Sequence, residues 1–134
     1  MVSVGLSKII MHENKQDQVI ILKEKDGERQ IPIIIGLAEA AAIKMKVSNI
    51  MPPRPLTHDL LSSLIEKLGA RLEKVIINKL EHNTFYARLI LIQDGEKIIE
   101  ADARPSDSIA LALRLNAPIF VEEEVFKKLQ FLNG

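Results

Sequence analysis

Residues 71–103 read RLEKVIINKLEHNTFYARLILIQDGEKIIEADA. Three runs rich in β-branched and apolar residues, Arg71–Leu80, Thr84–Gln93 and Glu96–Ala103, are separated by His82-Asn83 and by Asp94-Gly95. Asp-Gly supplies the positive φ of a tight hairpin, so the segment predicts three consecutive antiparallel strands. Upstream, Thr57–Leu68 changes to a helical period, with Leu60, Leu61, Leu64, Ile65 and Leu68 on one stripe, Thr57 as N-cap and Gly69 as the C′ residue. Asn49–Pro55 (NIMPPRP) holds three prolines and can be neither helix nor central strand. Leu37–Val47 is Ala-rich and apolar almost all round except for Glu39, Lys44 and Lys46, which predicts a buried helix. Before it, Val19–Lys25 and Gln30–Ile35 flank Asp26-Gly27, a second hairpin signal. Pro32 puts its strand at an edge or turns its N–H position outward. Residues 2–12 read as one more strand.

Downstream, a helix over about Ser106–Leu115 ends at Asn116, before Ala117-Pro118. A short strand, Ile119–Val121, and a final helix from about Glu122 complete the chain. The expected fold is α+β, a mainly antiparallel sheet built from hairpins with three main helices packed on it and a short C-terminal helix. No Pro/Gly/Ser linker divides residues 1–134, so one domain is expected.

The chain has 134 residues, 47% hydrophobic and 27% charged, a globular composition. Lys plus Arg equals Asp plus Glu, so the net charge is zero. That disfavours a nucleic-acid binder working by overall charge and leaves room for a local basic patch. With no cysteine there is no disulfide framework, thiolate zinc site or cysteine nucleophile. No signal peptide or membrane-length apolar run is present, so a cytoplasmic protein without membrane attachment is expected.

No dinucleotide, P-loop, zincin or nucleophile-elbow motif occurs. His12, His58 and His82 are far apart, which disfavours a His-rich metal site. The informative material is a pair of helix starts, Arg54-Pro55-Leu56-Thr57-His58-Asp59 and Arg104-Pro105-Ser106-Asp107. Their likeness suggests duplication, but helix starts favour these residue types anyway. A helix N-terminus offers unpaired N–H groups and partial positive charge, and an arginine just upstream adds a fork that matches phosphate oxygens. Convergence of the two starts would let Arg54, Arg104 and the turns carrying Thr57 and Ser106 bracket a phosphodiester; capping with surface arginines is the plainer alternative.

Glu100, Asp102 and Arg104 share one strand face, with neighbouring carboxylates about 6.6–6.8 Å apart, a spacing workable for Mg²⁺ through water. A solvated sheet face gives the same pattern. Arg88 stands in an otherwise apolar strand. A two-residue Asp-Gly hairpin sets Ala87 opposite Asp102, whereas a bulge at Gly95 sets Arg88 there, and the sequence leaves that register open. His58, at the edge of the apolar stripe, can serve as a base near neutral pH. Asp59 falls with Ser62, Ser63 and Glu66 on the expected wet side, and Glu39 is a lone carboxylate early in a buried helix.

The segments Arg54-Pro-Leu-Thr-His-Asp-Leu-Leu, Thr84-Phe-Tyr-Ala-Arg-Leu and Asp102-Ala-Arg-Pro-Ser-Asp-Ser-Ile-Ala-Leu-Ala-Leu-Arg resemble the bifunctional nuclease domain family. Ile35-Gly-Leu-Ala-Glu39-Ala and Asn116-Ala-Pro-Ile-Phe-Val121 extend the resemblance from about residue 5 to 128. It implies DNase and RNase activity, the source of the family's name. It also implies roles: Arg54, Arg88 and Arg104, with Thr57 and Ser106, in phosphate binding; His58, Asp59, Asp102 and Asp107 in catalysis; and Asp102, Asp107 and Glu39 as ligands for Mg²⁺ or Mn²⁺. Many bacterial relatives carry a C-terminal helical-hairpin module of the repair type, and this sequence has none, so the domain is expected to act alone.

Nucleic acid is then the expected substrate, and a homodimer is expected because short, apolar-rich chains must cover their edge strands. Two alternatives compete: a non-catalytic dimeric interaction domain in which Arg88, Arg104, Asp102 and Asp107 form a buried network, and a module binding a phosphorylated metabolite. A nuclease should expose its arginines in a cleft; a structural network should bury them.

Overall fold

A computed structural model describes residues 1–12 and 14–133, with side chains as far as Gln130. In chain order the elements are β1 (Val2–Ile10), β2 (Asp17–Glu24), β3 (Gln30–Gly36), α1 (Leu37–Val47), α2 (Thr57–Lys67), β4 (Ala70–Glu81), β5 (Thr84–Gln93), β6 (Lys97–Ala103), α3 (Pro105–Leu115), β7 (Ile119–Val121) and α4 (Glu123–Asn133). The strands form one seven-stranded sheet in the order β3-β2-β1-β7-β4-β5-β6. All pairings are antiparallel except β4 with β7. Two hairpin-built units, β1–β3 and β4–β6, are thus joined through the short β7. The architecture is the α+β arrangement expected from the hairpin signals. Among the described residues, no helix is long and apolar enough to cross a membrane.

Local chemistry explains the joints. His82 and Asn83 both have positive φ, 51° and 60°, in the β4–β5 turn, and Asn116 closes α3 in the left-handed conformation. Gly69 follows the C-cap Leu68 with φ +75°, where a Cβ would add strain. Asp94 and Gly95 (φ 53° and 81°) place Gln93 opposite Lys97, one residue beyond a plain two-residue hairpin. Arg88 therefore faces Asp102 across the ladder. Both are exposed, and no ion pair links them among the described residues. Pro32 sits on the edge strand β3, where its missing N–H costs no ladder bond.

One face of the sheet supplies Ile20, Leu22, Ile31, Val75, Ile77 and Ile119 to a single core. Helix α3 is the central helix. Ile109, Ala110, Leu111 and Ala112 are at most 3% exposed, and α3 packs on β4 and β5 while touching both α1 and α2. Its small residues let the neighbouring helices approach closely. Helix α3 begins at Pro105 with Arg104 as N-cap, one residue earlier than the sequence suggested.

Helix α2 departs further from expectation. Its N-cap is Leu56, with Thr57 the first helical residue, and the Leu56 N–H donates to the Asp59 carboxylate at 2.9 Å. Leu60, Leu61, Leu64 and Leu68, expected to face the core, are 38–68% exposed. His58 is buried instead, and Asp59 and Ser62 are half-buried. Polar contacts to neighbouring helices and within the turn hold this face inward and turn the leucines to solvent.

Candidate active site

The two Arg-Pro helix starts place their following residues against each other. His58, on the first turn of α2, lies with Nε2 2.8 Å from Asp107 Oδ1 on the first turn of α3. The other Asp107 oxygen accepts from Arg104 Nε at 2.9 Å. The Arg104 guanidinium continues to Glu39 of α1, with Nη2 3.6 Å from Oε1. Three helix starts therefore contribute to one chain of polar groups, His58–Asp107–Arg104–Glu39. Ser62 Oγ donates to the His58 carbonyl and Ser108 Oγ to that of Arg104, each at 2.9 Å, bracing both first turns.

The chain lies along a groove of about 650 Å³ whose apolar wall includes Leu61, Ile65, Leu89 and Leu111. The His58 side chain is 10% exposed and that of Arg104 65%, so the imidazole is sheltered and the guanidinium faces solvent. Burial pushes the Asp107 carboxyl up, but hydrogen bonds from His58 and Arg104 outweigh it and hold the group below its ordinary value. As a carboxylate, Asp107 only accepts, so the facing His58 Nε2 carries the hydrogen of their contact.

Gly36 makes room for Glu39. A Cβ at this position would run into Glu39 Oε2. Gly36→Ala is expected to change stability by no more than about 0.5 kcal/mol, because the displaced atom ends a flexible side chain. A crystal structure of the variant should show the Glu39 carboxylate moved off Arg104.

Sequence reasoning missed Arg114. Its side chain is 7% exposed; Nε donates to Asp59 Oδ1 at 2.7 Å, Nη1 to the Ala110 carbonyl at 3.1 Å and Nη2 to the Ala42 carbonyl at 3.3 Å. One guanidinium thus ties α2 to α1 and to its own helix, α3, setting the spacing of His58, Glu39 and Asp107. Burial raises the Asp59 carboxyl, but hydrogen bonds from Arg114 and the Leu56 N–H prevail and hold it low. The available signal was a lone charge in the last turn of the Ala/Leu-rich α3.

Carboxyls held low in the native state stabilise it above their unfolded pKa and lose that contribution as pH falls through the folded value. For Asp59 and Asp107 the loss is expected below about pH 4. Thermal midpoints measured against pH should fall less steeply there in Asp59→Asn/Asp107→Asn than in the parent.

The other candidates lie around this centre. Thr57 is exposed on the groove, and Asp102 is exposed at its edge. Ser106 is buried in α3, 5% exposed. Arg88 is exposed on β5, outside the groove wall. Arg54 is exposed and lines a separate hollow of about 400 Å³ that also contains Asp59. Arg54 and Arg104 therefore do not share a hollow, although their helices meet. Among the described residues, no three His, Asp or Glu side chains gather as a metal site. Arg104 bridges Glu39 and Asp107, filling with its own charge the place a shared cation would take. The residues present do not fit a divalent ion held directly by protein ligands.

The fold and site together define an α+β domain carrying a His–Asp pair and an exposed arginine at converging helix starts. The chain belongs to the bifunctional nuclease domain family, whose model matches residues 20–133. It is 50% identical over 114 residues to an uncharacterized protein of Mycobacterium tuberculosis, covering 84% of this chain and 67% of that one. It is 29% identical over 127 residues to Bifunctional nuclease 1 of Oryza sativa subsp. indica, and 29% over 107 residues to Bifunctional nuclease 2 of Arabidopsis thaliana. These matches cover 92% and 78% of this chain but only 37% and 32% of the plant proteins, so the chain spans about a third of their length.

Proposed function

We propose that this domain hydrolyses phosphodiester bonds of DNA or RNA in the groove between α1, α2, α3 and the end of β6. The reading is carried by one observation: Arg104 is largely exposed on the groove while hydrogen-bonded to the carboxylate that holds His58. A purely structural network would bury that guanidinium. The kinship with proteins named bifunctional nucleases supports the same reading.

Hydrolysis needs an activated water and neutralisation of the phosphoryl oxygens. His58 takes a proton from water through Nδ1, with Asp107 fixing the tautomer and stabilising the cation that forms, while the water oxygen bonds to phosphorus, the P–O bond to the departing sugar oxygen breaks, and that oxygen takes a proton from solvent. Arg104 receives the phosphate, using donors its bond to Asp107 leaves free. Glu39 orients Arg104. Arg54 and Arg88 lie outside the groove and take no part in bond breaking. The reading includes a homodimer in the cytoplasm.

The test is cleavage of labelled DNA and RNA, run with added Mg²⁺ or Mn²⁺ and with chelator. Cleavage should persist in chelator, because Arg104 supplies the charge. Binding of a phosphorylated nucleotide without turnover would favour the metabolite-binding alternative.

A further inference from the structure

The core gathers on the helix side of the sheet, so the strand residues between its members point the other way. Cross-strand pairing sets such outward residues in one row: Ser3 of β1 with Phe120 of β7, Phe120 with Ile76 of β4, Ile76 with Arg88 of β5, and Arg88 with Asp102 of β6. Lys25, whose N–H donates to the Ser3 carbonyl at 3.0 Å, continues the row beyond β1. Phe120 is half-buried on β7, the central strand of the sheet. Beside it lies Gly5, which follows Ser3 on the same face of β1. Gly5 has no positive φ, and a Cβ there would meet only Lys25 Cε, at an ordinary 3.8 Å. Neither a turn nor packing within the chain calls for this glycine, and a glycine inside a strand often marks the close approach of a ligand. Ser3 and Gly5 together leave Phe120 a flat, open border.

Charge and shape select the occupant. Lys25, Lys74 and Arg88 border the row and make no ion pair among the described residues. Lys79 stands 4.8 Å over the Tyr86 ring on the other side of it. The acids of this face are marginal: Glu100 and Asp102 on the edge strand β6, Glu81 at the end of β4 beside Lys79, and Glu122 past the end of β7. An aromatic ring bordered by cations is the usual seat of an unpaired base and its phosphates. A duplex keeps its base faces stacked away from such a ring. An added peptide strand needs a sheet edge for its backbone bonds, and the middle of a sheet offers none. A membrane anchor must push an apolar group into the lipid, whereas Phe120 is half-buried between small neighbours. The row also leads to the groove. Strands lie about 4.8 Å apart, so Asp102, three strands over, is about 14 Å from Phe120. Asp102 stands at the groove edge, with Arg104 beyond it on the groove itself.

We propose that this row is a track for single-stranded nucleic acid. A base stacks on Phe120 over Gly5, Lys25, Lys74 and Arg88 take the neighbouring phosphates, and the strand crosses the β6 edge to Arg104. The track deepens the nuclease reading above, on which it rests for its destination and not for its ligand. Its test is anisotropy of a short fluorescent oligothymidylate, measured in the His58→Ala chain so that the strand stays whole. Adding Gly5→Val fills the flat border with a residue that suits a strand. It is expected to weaken binding about tenfold with an unchanged or higher thermal midpoint. Phe120→Leu should weaken it by a similar factor. Lys74→Gln/Arg88→Gln should flatten the dependence of log affinity on log salt by about 1.4, at about 0.7 per phosphate. Binding of the duplex with oligodeoxyadenylate should be indifferent to Gly5→Val. Equal single-strand affinity with and without Gly5→Val and Phe120→Leu overturns the track. So does binding that appears only with phosphatidylserine vesicles, which would make this face a membrane surface. Binding as expected, with no cleavage of any substrate by the parent, counts against the nuclease reading alone. Cleavage by the parent, with binding unmoved by these substitutions, counts against the track alone.

Discussion

Asp107→Asn is expected to lower phosphodiester cleavage by about 10²–10⁴-fold, the range that a positioned acid–base group supplies. The carboxylate accepts from both His58 and Arg104, so one substitution removes two functions at once. An amide at this position can turn its NH₂ toward His58 Nε2, favouring the tautomer that protonates Nδ1 and removes the base. Arg104, already 65% exposed, would lose the contact that aims it. The variant should still fold, at a cost of about 1–3 kcal/mol for the weakened partner of a buried imidazole. Circular dichroism and the thermal midpoint separate this outcome from simple unfolding. Cleavage equal to the parent's would remove Asp107 from the reaction.

Arg114→Met is expected to give the larger stability loss. It removes the partner of the Asp59 carboxylate and the donors serving the Ala42 and Ala110 carbonyls. Breaking one side of a buried ion pair costs about 3–5 kcal/mol. Asp59 remains a third exposed and keeps the Leu56 N–H, so the lower end applies. For a domain of this size that lowers the midpoint by on the order of 10 °C. Replacing both partners by apolar residues, Arg114→Met/Asp59→Leu, should recover much of the loss, because no charge is then stranded. Cleavage should fall even at temperatures where Arg114→Met is folded, since small misplacements of His58 against Asp107 are costly. A midpoint within a degree of the parent would show that this arginine does not hold the three helices together.

What sequence reading could reach followed the range of the forces involved. Turns at His82-Asn83, Gly69 and Asn116 rest on backbone preferences within a few residues, and those positions adopt positive φ. Hairpin order followed, and with it the α+β class. The register that sets Arg88 opposite Asp102 depended on the backbone of Asp94-Gly95, which the dipeptide alone does not fix. For α2, the amphipathic rule assumes that nothing outside the helix outbids its leucines for the inward face. Asp107 and Arg114, 49 and 55 residues away from their partners His58 and Asp59, do so. The same long-range pairing made Arg114 hard to find and brought His58 onto Asp107, while Arg54 went to a different hollow. Residue types at the helix starts pointed to the site; which arginine joins it was set by tertiary packing.

Cleavage of end-labelled DNA and RNA by the parent and His58→Ala, expressed and purified side by side, tests the proposed chemistry most directly. The account predicts cleavage by the parent and none above background by the variant, both folded and both in the presence of chelator. Equal cleavage by the two, or none by the folded parent on any substrate, would contradict it.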